Sequence, residues 1–269
     1  MITDELREYA ETPDRFAPIP AGSSVSRFAD QRICVVQGAT WAGISGLRCR
    51  EEELDEMIGL VHDLVPAEKR QVWWIGPSAQ PENVVELLQG RGFRPAEDGS
   101  EVRAMVLTSP PADSPPGIEV RRVESFEDYL AAREVQWDGF EVPADRRELQ
   151  RAHMRTEFNE SMEHGVPLSF LALLDGRPAA TGMATPCERG VFLIAGATAK
   201  WARGRGLYRA LVRARWDYAV ERGTPALVTE ALVDTSYPIL ERLGFSEVCT
   251  IRLLQETRLQ SSAMRPPAS

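Results

Sequence analysis

The chain is poor in the residues that build metal centres and disulfide frameworks. Its four cysteines, Cys34, Cys49, Cys187 and Cys249, lie far apart, with no CxxC or CxxH spacing. Structural zinc and a disulfide scaffold are therefore not expected. Histidine is scarcer still: His62, His153 and His164 are all there is, too little for a histidine-based triad or a metal centre. No run of about eighteen apolar residues occurs, so no membrane helix is expected. The opening MITDELREYAETPDRF is polar and acidic, unlike a secretory signal. Positive charge is also lacking overall. The net charge of −9 argues against a nucleic-acid binder, which is normally basic. These absences point to a reduced, cytoplasmic protein without a metal cofactor.

What is present is ordinary globular material, 43% hydrophobic and 26% charged. A length of 269 residues suits two modest domains or one large one. The proline-rich stretch SPPADSPPG at 109–117 reads as a semi-rigid linker between domains at 1–108 and 118–256, with 257–269 a frayed tail. The acidity sits in the first part, where residues 1–116 hold 11 basic and 19 acidic residues. One window runs the other way. From Lys200 to Arg222, seven bases stand against Asp217 and Glu221, a local +5 that suits an anion site.

Periodicity predicts alternating elements in both parts. In the first, helices are expected over 3–12, 51–64 and 81–89, and strands over 24–28, 33–37, 41–48, 71–75 and 101–108. In the second, strands are expected over 118–123, 167–174, 179–185, 191–198, 226–230 and 245–254. Helices are expected from Ser125 to about 136, then over 145–162, 206–221 and 236–243. Asp175-Gly176 supplies the positive φ angles of a tight hairpin. The charged 145–162 helix reads as a solvated face. An internal echo links the halves: LLQGRGF at 87–93 resembles ILERLGF at 239–245, each a short helix ending at glycine before a strand.

The most informative stretch is Arg203-Gly204-Arg205-Gly206-Leu207-Tyr208, between a buried strand and a helix. Free amides at a helix start, the helix dipole and nearby arginines make a phosphate cradle. The alternative is an arginine-rich turn whose glycines serve only tightness. Neither G-x-x-x-x-G-K-[ST] nor G-x-G-x-x-G is present.

This loop resembles the pyrophosphate loop [RQ]-x-x-G-x-[GA] of the GNAT acyltransferase superfamily, with Tyr208 where Gly or Ala is usual. The ordered context fits over roughly 118–254: the hairpin at Asp175-Gly176, the strand ending in Ala197-Thr198, and the helix closing on Leu243-Gly244-Phe245. The resemblance implies an α/β (α+β) protein of two GNAT-like domains, each a mixed, mostly antiparallel twisted sheet flanked by helices. The first is degenerate and lacks the phosphate loop. The resemblance further implies acetyl-CoA as co-substrate and acyl transfer to a primary amine of a small molecule or peptide. Amides of Arg203, Gly204, Arg205, Gly206, Leu207 and Tyr208 would hold the pyrophosphate, and Ala197 and Thr198 the pantetheine arm. Ser236, read as a helix cap, takes the place of a family asparagine that contacts pantetheine. The thiolate-facing tyrosine of the family is Leu240 here. Tyr237 and Glu230 are the candidate acid and base; their alternatives are a half-buried tyrosine and a strand-end carboxylate in solvent. Glu188 and Asp234 are weaker candidates. Trp137, Asp138, Phe140 and Glu141 fall where the family's acceptor pocket lies. The competing function is a non-catalytic acyl-CoA-binding or sensor protein.

Overall fold

The computed structural model describes residues 2–97 and 99–256. The first half opens with α1 (Asp4–Glu11), where Thr3 Oγ1 accepts from Leu6 N at 3.3 Å, and continues directly into α2 (Pro13–Phe16). Strands β1 (Ser26–Ala29), β2 (Cys34–Gln37) and β3 (Trp41–Ser45) follow. The 51–64 helix forms as a 3-10 turn leading into α3 (Leu54–Leu64), which buries Leu54, Met57 and Val61. Then come β4 (Arg70–Ile75), α4 (Val84–Gly90), a short β5 (Phe93–Pro95) and β6 (Glu101–Leu107). Helix α2 and strand β5, four and three residues long, are too short to leave a periodic signal.

The second half runs β7 (Ile118–Arg122), α5 (Phe126–Gly139), α6 (Ala144–Arg151), α7 (Met154–His164), β8 (Leu168–Leu174), β9 (Arg177–Cys187) and β10 (Gly190–Thr198). It closes with α8 (Leu207–Glu221), β11 (Leu227–Leu232), α9 (Tyr237–Arg242) and β12 (Ser246–Glu256). Ser125 caps α5 as expected, accepting from Asp128 N at 3.1 Å. The single helix expected over 145–162 is two. No proline or glycine breaks it. Tertiary packing does: the turn at Ala152-His153 lets Met154 bury and Gln150 accept from the indole N–H of buried Trp137. The 257–269 tail lies outside the described residues.

Among the described residues all twelve strands join one sheet, ordered β1-β2-β3-β4-β12-β6-β11-β10-β9-β8-β7, with β5 on β12. Each half contains one parallel pair, β3–β4 and β10–β11; the other pairings are antiparallel. The closing strands are exchanged. β6 pairs with β11 and β12, while β12 lies between β6 and β4. The glycine echo is real in geometry, since Gly92 and Gly244 both have φ +93°. One sheet face packs α8 through Leu207, Leu211 and Val212, with Leu240 and Phe245 in the same core. The other packs α1 through Leu6 and Tyr9 against Phe192, Val228 and Ile251. Each such large side chain contributes about 1.5–3 kcal/mol by leaving water.

Candidate active site

The site begins where two strands part. β10 and β11 pair at Val191–Leu227, Phe192–Val228 and Leu193–Thr229, and no further. Thr229 Oγ1 donates to Leu193 O at 3.0 Å and pins that last pair. β10 then bulges: its register against β9 shifts between Ile194 and Ala197, and Ala195 has φ +54°. A bulge bends its strand away from its neighbour. Beyond it Thr198 faces Ala180, and Ala199 N donates to Ala179 O at 2.9 Å. That pattern makes Thr198–Ala180 a non-hydrogen-bonded pair, so Thr198 N–H and C=O point away from β9 into the opening. Ala197, buried, turns its own peptide groups to β9.

The opening leads to the start of α8. Gly206 is its N-cap at φ +83°, a left-handed conformation that favours glycine. No side chain caps this end and no acidic residue stands in the first turn, so its amides are free for an anion. Arg203 and Arg205 are exposed beside it, and Arg209 Nε is buried without an acceptor. Such an orphaned donor in the first turn suits a bound phosphate. The proline-rich stretch lies against this loop. A Cβ on Gly206 would sit 2.5 Å from Pro115 Cγ, and Asp113 pairs with Arg213. The expected linker is therefore packed on α8.

Tyr208 turns its ring onto β10, not into the loop. A Cβ on Gly196 would lie 2.7 Å from Tyr208 Cε2, so the glycine opposite makes room for the tyrosine. The ring also faces Arg215, whose Cζ is 6.0 Å from its centroid. Arg215 is fully buried. It donates to Leu211 O (3.0 Å) and Met183 O (3.3 Å), its Nη2 has no acceptor, and burial lowers its pKa.

At the bulge, Ile194 and Ala195 border a cavity of about 440 Å³. Thr181, Met183 and Thr185 of β9 form its floor, and Tyr129, Arg133, Gln136, Gln150, Glu157 and Glu160 its helical wall. The first half closes it with Asp14, the 17–25 loop and Trp41. Ser24 donates to Glu160 Oε2 through both N (2.9 Å) and Oγ (2.7 Å), clasping the halves together. Tyr129 donates to Glu157 Oε2 at 2.8 Å. Arg133 donates to Gln136 (2.8 Å) and Gln150 (3.2 Å), and its Nε is buried without an acceptor. The reading of 145–162 as a solvated face holds for Arg146, Glu148, Arg151 and Arg155, which are exposed, and is corrected for Glu157 and Glu160. Glu157 and Glu160 line the cavity, while Arg151 and Arg155 lie over the rings of Trp137 and Phe126.

Glu230 and Asp14 also face this side of the sheet. Glu230 is partly buried on β11, one strand from Ile194 and on the face of Val228. Burial, then the charge of Asp14, raises its pKa well above the ordinary range. Asp14 lines the cavity, and burial pushes its carboxyl up to about 6 against the pull of Arg27. The sequence reading missed Asp14, because Thr-Pro-Asp looks only like a helix start.

The other candidates lie elsewhere. Tyr237 donates to Glu241 at 3.5 Å, and burial followed by Glu241 and Glu247 raises its pKa. Neither it nor Ser236 borders the cavity. Ser236 stands at the N-cap of α9 but makes no side-chain cap bond, because its backbone is already helical (φ −83°, ψ −31°). Leu240 is buried in the α8-face core. Trp137 is buried and Phe140 exposed. Asp138 accepts from Lys200 N at 3.0 Å, and Glu141 pairs with Lys200 Nζ at 2.9 Å, which lowers its pKa. These residues tie α5 to the strand end instead of lining the cavity. Glu188 and Asp234 are exposed. Among the described residues no three His, Cys, Asp or Glu side chains group as a metal site, and no helix is long and apolar enough to cross a membrane.

This geometry has relatives. No curated protein matches the chain in sequence. A GCN5-related N-acetyltransferase from Kribbella flavida superposes with TM-score 0.67 at 17% identity, covering 90% of this chain and 93% of its own. One from Sphaerobacter thermophilus gives TM-score 0.56 at 18% identity, over 93% and 84%. A tandem GNAT protein from the clavulanic acid biosynthesis pathway gives 0.56 at 12% identity, over 92% of each chain. Residues 129–245 match the acetyltransferase (GNAT) family. That match makes residues 129–245 a GNAT-family segment, and the fold shared along most of the chain is a mixed α/β one of two GNAT-like halves.

Proposed function

We propose that this protein is a cytoplasmic N-acetyltransferase, moving the acetyl group of acetyl-CoA to a primary amine of a small molecule or peptide. The observation that carries this reading is the meeting of the opening and the cavity at Ala195. The free start of α8 takes the pyrophosphate, on the amides from Arg203 to Tyr208. Thr198, with its peptide groups facing the opening, pairs with the pantetheine arm like an added strand, and Ala197 shapes that edge. Ser236, whose hydroxyl makes no cap bond, offers that arm a polar contact. The cavity holds the acceptor, its carboxylates suiting a cationic amine. Acetyl-CoA supplies the activated acyl group, and the protein aligns it with the amine, which alone accelerates transfer greatly.

Thiol release from acetyl-CoA across a panel of primary amines tests this. Amine-dependent release with an acetylated product is expected. Tight CoA binding without release on any amine would leave the chain a binding or sensor protein.

A further inference from the structure

Asp14 is an odd side chain to leave in a half-closed cavity. It belongs to the first half, on the four-residue α2, yet it borders the same cavity as Ile194 and Ala195 of the second. Among the described residues no hydrogen bond or ion pair reaches its carboxylate oxygens. Arg27 of β1 passes them by, giving its Nη1 to the carbonyls of Asp14 (3.1 Å), Arg15 (3.0 Å) and Ala17 (2.7 Å). That anchors the backbone and leaves the carboxylate uncommitted. Around it stand Tyr9 of α1, Cys34 of β2 and Glu230 of β11, all sensing its charge. On β3, a Cβ at Gly43 would lie 3.5 Å from Oδ2 and 3.7 Å from the indole nitrogen of Trp74 on β4. Only Arg27 in this set is a cation, so an incoming ammonium would meet an unpaired acceptor.

We propose that Asp14 is the general base of the second half's active site, so that the first half supplies a catalytic residue. This rests on the amine-transfer reading. The acceptor enters as an ammonium and gives one N–H proton to Asp14. Its freed lone pair attacks the thioester carbonyl carbon. A C–N bond forms, the C–S bond breaks, and sulfur leaves with the bonding pair. The second nitrogen proton ends on the sulfur, and the proton on Asp14 returns to solvent. The sum is ammonium plus thioester giving amide, thiol and one proton. Glu230 shares this face of the sheet, its pKa raised by burial and then by the charge of Asp14. Asp14, unlike Glu230, borders the cavity, which leaves it the carboxylate that meets the amine.

The test measures kcat/KM against pH with two amines of well-separated pKa. Wild-type protein should show an ascending limb near pH 6 with both, because the limb belongs to the free enzyme's base. Asp14→Asn should lose that limb and fall roughly thirtyfold or more at pH 7.5, with acetyl-CoA affinity unchanged and turnover now following the amine's own ionisation. A limb that tracks the amine in the wild type overturns the proposal, and that holds even if Asp14→Asn does not fold. So does a folded Asp14→Asn that keeps the pH 6 limb. No turnover on any amine would remove the transfer reading and the base with it. Turnover with an unaltered limb in the variant removes the base alone.

Discussion

A carboxyl raised to about 6 in the folded chain weakens the fold that holds it. An unfolded aspartate titrates near 3.9, so between the two values the folded state binds more protons. Stability from this group is present at low pH, is lost as pH rises from about 4 to 6, and stays lost above. The two-unit difference is worth at most about 3 kcal/mol. Asparagine mimics the protonated form. Asp14→Asn should therefore match the wild type at pH 4 and become more stable by about 2 kcal/mol at pH 7, read by urea unfolding at both pH values. Equal stability at both would mean that Asp14 titrates normally. Tyr237 presents the contrary case. Its hydroxyl is spent on Glu241 and it does not border the cavity. Tyr237→Phe should change turnover less than about threefold, whereas loss of a general acid costs about a hundredfold or more. A loss of that size with CoA binding intact would make Tyr237 the acid that Leu240 cannot be.

On the proposed reading, loop and helix together form the element that takes the co-substrate. Gly206→Glu is the obvious probe of it, but a Cβ there presses Pro115 and must adopt φ +83°. Strain and charge would change together. Arg209→Gln is cleaner, since it removes the orphaned first-turn donor and a positive charge while keeping the helix. CoA affinity by calorimetry should fall roughly tenfold, with a smaller loss at high salt. Unchanged affinity would place the phosphates elsewhere. This element was legible because its signals are local: a continuous apolar strand, two glycines flanked by arginines, and an apolar helical stripe. The same holds for Ser125 at the start of α5 and for the two glycine-phenylalanine turns. The cavity was not legible, because it is assembled from segments far apart in the chain. Nothing near Glu160 announces that Ser24 will bind it, and nothing near Asp14 announces Glu230. The break between α6 and α7 is of the same kind, set by Trp137 and Gln150 reaching each other across two helices.

At the scale of the molecule, exchange of β6 and β12 makes the sheet one object and puts the first half against the second half's site. The halves share an element order but differ where a co-substrate would enter. In the second half β10 and β11 separate after three paired positions, the last at Leu193–Thr229. In the first half the corresponding parallel strands stay together at five, from Trp41–Arg70 to Ser45–Trp74, and no bulge parts them. Their peptide groups are paired with each other at those positions, which leaves less free edge for a pantetheine arm. The helix starts differ in sign as well. α8 begins with no acidic residue and with arginines about it, whereas α3 follows Glu51, Glu52 and Glu53, which would repel a phosphate. Either difference should weaken a first-half site. Titration with CoA should therefore give one site per chain. Arg209→Gln should weaken that site without exposing another. Two equivalent sites, or a residual site untouched by Arg209→Gln, would show that β3 and β4 open in solution as β10 and β11 do.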